Sequence, residues 1–360
     1  MLAIVGLIQF AAMASAIDEK EGAGNKVKGS MALSHIKSNQ LPKPQDSLLQ
    51  ARDSLFAITL LDDKSHLLAG NNGLLVQVDK YQEYKKITVN TASDLFSVHA
   101  TQSGQVLLGA DNGELFIADD ELKNWSAISL DKSEATFNFI ELPAGKIILS
   151  GSYGLLMSSE PPYRQWKEVL LPWAEFLKEA WQEFGEAEAH LYSGCHNERG
   201  DLLIVGEFGI VLKRDFTGQW NKIHGGSIQP AIYGCDISNN GEDIILVGQK
   251  GLVYQSSDAG LSWLEANISK GADLYKVHKA KGLSIIIGDK KNLYVSSKSS
   301  AWLCRRFAKD RPLGWFVDMA VDDESMGVVG SNGAFKLARH SSLLKAVNQL
   351  EQSEEFVSCE

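Results

Sequence analysis

Imidazole, thiol and carboxylate groups are the side chains that hold transition metals, and four recur here in phase. His99, Cys195, Asp236 and His278 each lie three residues after an aromatic: Phe96, Tyr192, Tyr233 and Tyr275. No HxxxH or CxxC spacing joins them, and they fall in separate segments, so they read as core or channel-lining polar residues with no metal. The Gly-x-x-Gly pairs that could cradle a phosphate stand between two strand-like apolar runs, whereas a phosphate loop leads from a strand into a helix. Cys195, Cys235, Cys304 and Cys359 are too scattered for a disulfide framework. A Cys195–Cys235 bond is conceivable, since the two sit in equivalent strands of adjacent units, but small buried thiols are the expectation. No catalytic residue and no cofactor is assigned.

The elements that position these groups are repeats. An apolar run ending in Gly, a short polar turn and usually a second Gly recur as LLAGNNGLLVQV, VLLGADNGELFIA, IILSGSYGLLMSS, LLIVGEFGIVLKR, ILVGQKGLVYQSS, SIIIGDKKNLYVSS and GVVGSNGAFKLA. The opening glycines, Gly70, Gly109, Gly151, Gly206, Gly248, Gly288 and Gly330, are separated by 39, 42, 55, 42, 40 and 42 residues, so one interval carries an insertion. An aromatic precedes each first Gly: Phe56, Phe96, Phe137, Tyr192, Tyr233, Tyr275 and Phe316. A later Trp or Tyr (Tyr84, Trp125, Trp166, Trp220, Trp263, Trp302) opens a further strand. Each unit is therefore four short strands, and the spacing predicts an all-β, seven-bladed propeller of four-stranded antiparallel blades. Radial closure covers faces that a single blade cannot bury. The seventh unit has no matching fourth strand, and Ala32 to Ser38 is expected to supply it.

With 360 residues, 44% hydrophobic and 22% charged, the chain can bury such a core. A net charge of -10 without a Lys/Arg block excludes a nucleic-acid footprint. Residues 1–16 read as a signal-peptide-like segment, an apolar run ending at Ala14-Ser15-Ala16, and 17–30 as a flexible linker. The protein is then periplasmic or secreted and not itself membrane-spanning once that segment is removed. The propeller is expected over 31–340, with an insertion at 167–190. The 341–360 tail carries Leu343, Leu344, Val347 and Leu350 at the spacing of a short helix.

In the fifth unit Ser256, Asp258, Gly260 and Trp263 match the Asp-box pattern S-x-D-x-G-x-[ST]-W, a structural turn in which the Asp satisfies backbone donors. KRDFTGQW and SSEPPYRQW are eroded versions. Together with the aromatic and the glycine turn, this resembles the photosystem II stability and assembly factor family of Asp-box (BNR, sialidase-like) propellers, in its non-photosynthetic bacterial branch, from Leu48 to Leu337. The resemblance implies a non-enzymatic protein binder, an accessory or assembly factor for a membrane complex such as an RND-type (MMPL-like) exporter or, in a photosynthetic host, photosystem II. A glycan-binding or sialidase-like hydrolase is the alternative. Sialidase chemistry needs an arginine cluster and a Tyr paired with Glu. Here Arg52, Arg164, Arg199, Arg214, Arg305, Arg306, Arg311 and Arg339 occupy no repeated inner-strand position.

The insertion contains PWAEFLKEAWQEFGEAEAH. Pro172 suits a first helical position, Gly185 an end, and Trp173, Phe176, Leu177, Ala180, Trp181 and Phe184 share one helical face. The only aromatics at the glycine turns, Tyr153 and Phe208, flank it. Trp173, Phe176, Leu177, Trp181, Phe184, Tyr153 and Phe208 are therefore the candidate partner-binding residues. The helix either docks on Tyr153 and Phe208 or presents its aromatics to a partner.

Overall fold

A computed structural model of the chain describes residues 48–360 apart from 120, 186, 216, 227–228, 270, 281, 298–301, 308–309, 311, 349–355 and 360. The expectation for Ala32 to Ser38 lies outside the described residues, as do the signal-like segment and linker. Seven antiparallel sheets follow one another from residue 55 to residue 339. We letter the strands of each blade a to d in chain order. Strand a is innermost, running Leu55–Leu60, Leu95–Ala100, Thr136–Glu141, Leu191–His196, Ile232–Ile237, Leu274–Ala280 and Phe316–Val321 in blades 1 to 7. Each strand a packs on the next, and that of blade 7 returns to blade 1, closing the ring.

The b strands are almost wholly buried, because β-branched and leucine side chains on both faces meet the neighbouring blades. Among the described residues blade 7 has three strands. Blade 6 has five: the tail adds Phe356–Ser358 antiparallel to strand d Leu303–Phe307, a strand the sequence reading lacked. The tail also forms a helix, His340–Asn348, whose Leu343 is fully buried in the core between blades 6 and 7.

Two recurring polar devices hold the turns. The residue after the first glycine of a b–c turn accepts the backbone N–H that leads into strand a of its own blade. Asn71 Oδ1 accepts from Ser54, Ser152 Oγ from Ala135, Glu207 Oε2 from His190, Gln249 Oε1 from Ala231, Asp289 Oδ2 from Asp273, and Ser331 Oγ from Trp315. The first glycine itself is extended, φ −158° at Gly70, and is required by close approach: a Cβ there would overlap the Ser54 carbonyl oxygen. In blade 2 the register moves this position to Ala110, which pairs with Leu95, so Gly109 is one residue early. The second device is the Asp box of blade 5. Asp258 Oδ1 accepts Ser262 N–H at 2.9 Å and Ser256 Oγ–H at 2.8 Å, and Gly260 takes φ +90° over the Trp263 ring.

Two expectations are corrected. No free cysteine is present among the described residues; Cys195–Cys235 and Cys304–Cys359 are disulfides, with Cα atoms 5.8 and 5.5 Å apart. The register explains the first. Cys195 pairs with Leu203, while the corresponding residue of blade 5 is Asp236, and Cys235 stands one residue earlier. Successive strand residues face opposite sides of a blade, so this offset turns the two thiols toward each other across the seam. The second correction is Phe316. It pairs with Gly330 as Leu55 pairs with Gly70, and is fully buried beside Phe307, so it belongs to the core position and not to the repeated aromatic position.

Candidate aromatic face at the channel mouth

Every strand a carries a bulge, and the residue it skips is Phe56, Phe96, Phe137, Tyr192, Tyr233, Tyr275 or, in blade 7, Val317. A bulge re-aims its side chain, and here it brings the rings into one line around the inner rim. Neighbouring centroids lie 5.2 Å (Phe56–Phe96), 6.1 Å (Phe96–Phe137), 6.0 Å (Phe137–Tyr192), 5.2 Å (Tyr192–Tyr233) and 5.6 Å (Tyr233–Tyr275) apart. Trp315 fills the place that Val317 leaves, stacking on Phe56 at 6.1 Å. The rings stand at the strand-a entry, beside the b–c turns, and so at one mouth of the central channel.

The imagined metal ring resolves into blade-to-blade pairs. His278 Nδ1 lies 3.3 Å from Asp236, and His99 Nε2 lies 3.0 Å from Glu141. Burial works against the Glu141 carboxylate, but hydrogen bonds from His99 and the Gln102 N–H hold it below the ordinary range, with Tyr163 donating as well. Asp236 and Asp318 accept N–H groups of Lys279 and Ile58 in neighbouring blades, and Lys276 pairs with Asp318 at 3.1 Å. These groups stitch the ring; among the described residues no cluster could hold a metal ion.

The insertion lies at the same mouth. It is two helices, α1 Trp173–Phe176 and α2 Lys178–Phe184, broken at Leu177 (φ −111°, ψ 32°) where one continuous helix was expected. The Phe176 carbonyl at the break accepts Lys222 Nζ–H at 2.7 Å from strand d of blade 4. Gly185 (φ 82°) ends α2, its N–H bonded to the Trp181 carbonyl. Trp173, Phe176, Leu177 and Ala180 are buried against blades 3 and 4, with Trp181 half-buried and its indole N–H donated to the Ala187 carbonyl at 2.7 Å. The Trp173 ring sits on Gly154, whose φ of +71° and lack of a Cβ make room for it.

What remains open is the far end of that stripe. Phe184 is 60% exposed and stacks on Phe208 at 6.5 Å, and Tyr153 is 47% exposed and meets His190 edge-on at 4.6 Å. His190 also accepts the Tyr153 N–H on Nδ1 and stacks on Tyr192 at 6.1 Å, so rings continue from the channel rim to the surface. Burial lowers the His190 pKa, partly countered by Glu207. The candidate residues thus divide: Trp173, Phe176 and Leu177 anchor the insertion, Phe208 is half-buried against the same core, and Tyr153 and Phe184 are exposed. Ser256, Asp258, Gly260 and Trp263 lie at the c–d turn of blade 5, on the opposite face.

Among the described residues no helix is long and apolar enough to cross a membrane. A scan against protein-family models and a search of curated proteins find no match. Solved structures are similar in fold. Virginiamycin B lyase from Staphylococcus aureus aligns at 10% identity and a TM-score of 0.68, covering 81% of this chain and 97% of its own. YCF48 from Cyanidioschyzon merolae aligns at 14% and 0.65, covering 81% and 97%. YCF48 bound to a D1 peptide aligns at 13% and 0.61, covering 80% and 91%. At these identities the likeness establishes the seven-bladed propeller and nothing finer, so the chain shares its fold with both a lyase and a protein bound to a peptide.

Proposed function

We propose that this propeller is a non-enzymatic protein binder, an accessory or assembly factor for an envelope membrane complex, that docks its partner on the blade 3–4 side of the channel mouth. One observation carries the reading. Outside blade 2 the tip of the b–c turn has a left-handed backbone, and in blades 1, 5, 6 and 7 it is filled by Asn72, Lys250, Lys290 and Asn332. In blades 3 and 4 it is filled by Tyr153 (φ 48°) and Phe208 (φ 57°), bulky aromatics for which that conformation is costly. A residue kept in a strained conformation at an exposed place, as Tyr153 is, points to a use beyond folding. Large exposed aromatics such as Tyr153 and Phe184 are also the side chains that anchor interfaces.

The family resemblance supports a partner-binding role, and the D1 peptide bound to YCF48 supports a peptide segment as the form a partner takes on this fold. The two disulfides support an oxidising compartment, and with it export and removal of the segment through Ala16. The test is photo-crosslinking in cells of the native host. A crosslinker at position 184 should give discrete protein adducts. One at Leu261, 89% exposed on the opposite face, should give none. Equal labelling from both positions, or none from 184, removes the proposal.

A further inference from the structure

The rim aromatics are not uniform. Blades 1 to 3 contribute phenylalanines, and blades 4 to 6 contribute Tyr192, Tyr233 and Tyr275. Carboxylates flank the mouth in both halves, with Asp94 beside Asp111 at the blade 2 turn, but in the tyrosine half they meet a rim hydroxyl: Tyr275 Oη–H donates to Asp289 Oδ1 at 2.9 Å, Asp289 also accepts the Asp273 N–H at 3.1 Å, and Glu207 lies at the blade 4 turn beside His190. Asp273 is pushed up by burial and by neighbouring Asp289, while the N–H and side chain of Lys250 pull the other way, so two carboxylates share this place with one lysine. Between them Tyr233 is only 7% exposed, and its hydroxyl has no hydrogen-bond partner. Burial first, then the charge of Asp273, raise the pKa of that hydroxyl; the Gln249 side chain pulls the other way, and Asp289 and Glu207 add smaller upward contributions.

Ring faces, carboxylates and an unused hydroxyl oxygen describe what an N–H-bearing cation needs: quadrupole attraction, charge neutralisation and an acceptor. We propose that the tyrosine half of the mouth binds an alkylammonium or guanidinium group, presented by a free amine or by a lysine or arginine side chain. The opposite half, lined by Phe56, Phe96 and Phe137, takes the apolar stem of the same ligand. This site does not require the partner face proposed above.

The test is calorimetric titration of the full chain with four probes: N-acetyl-lysine methylamide, N-acetyl-arginine methylamide, n-butylamine and, as the neutral isostere of lysine, N-acetyl-norleucine methylamide. At least one cationic probe should bind about tenfold or more tightly than the norleucine compound. Tight binding by the two amino-acid amides alone identifies a protein side chain as the source, and equal binding by butylamine identifies a free amine. Asp273→Asn keeps an oxygen for the Lys250 N–H but removes the charge, and should weaken the cation about tenfold at an unchanged melting temperature. Tyr233→Phe keeps the ring and removes the acceptor, and should weaken it less. Equal affinity for charged and neutral probes, or no binding by any cation, overturns the site.

Discussion

The b–c turns of blades 1 and 4 share one backbone and differ in what they carry. Gly70 and Gly206 are extended, Asn72 and Phe208 are left-handed at φ 54° and 57°, and Leu74 and Ile210 return at φ −66° in both. In each, the next polar residue, Asn71 or Glu207, latches the entry to strand a. Only the tip changes. Asn tolerates that conformation; Phe does not, and in blade 4 the Phe208 ring is met by Phe184 of the insertion. The repeat fixes the turn, and a departure from the repeat marks where the molecule does something besides closing a ring.

The largest expected effect tests whether the insertion is integral to the fold. Trp173→Ala empties a site that is 8% exposed, above Gly154, and should cost about 3–5 kcal/mol in chemical denaturation. A loss below about 1 kcal/mol would mean that the helices are loosely held and free to re-dock on a partner. Next is the blade 4–5 seam. Replacing both Cys195 and Cys235 by Ala opens a 40-residue link and should cost about 2–4 kcal/mol, read as a shift in denaturation midpoint.

The turn comparison itself is sharpened by exchanging tips. Asn72→Phe places an unsupported ring in a left-handed position and should cost about 1–2 kcal/mol. Phe208→Asn relieves that strain but loses the contact with Phe184, so stability should stay within about 1 kcal/mol of the parent. Equal losses for the two variants would show that the tip residue has no special support in blade 4. The smallest effect concerns pH. Hydrogen bonds from Ser262 and Ser256 hold the Asp258 carboxyl down to about 2 from an ordinary 3.8. The stabilisation from its ionised form is therefore complete above pH 3.8 and lost as pH falls toward 2. Asp258→Asn should flatten the melting-temperature profile over that window and leave its shape above it unchanged.

Blade number, strand order and the position of the insertion were legible because glycine and aromatic positions repeat at a fixed period, and that period reflects packing every blade must satisfy. What repeats only in geometry was not. The bulge under each rim aromatic leaves no residue signature, and where Trp315 and Phe316 stand together the pattern could not say which one faces the rim. The Cys195–Cys235 bond depends on a one-residue offset, Cys195 three residues after Tyr192 and Cys235 two after Tyr233, whose consequence for the facing of the thiols only the strand register shows. The Phe356–Ser358 strand is too short to read as one until its Cys359 is seen bonded to Cys304. For the candidate site, the aromatic stripe of the insertion was visible in its spacing. How it divides into buried anchors and exposed ends was set by the break at Leu177 and by the room above Gly154.

The central claim is that the exposed ends, not the buried anchors, serve a partner. Its most direct test is affinity purification from crosslinked envelopes of the native host, comparing the parent protein with Tyr153→Asn Phe184→Asn. Both side chains are about half exposed or more, so the variant should fold with a melting temperature close to the parent. The account predicts that it then loses the co-purifying membrane protein. A folded variant that still brings down the same partner at the parent's level would contradict it.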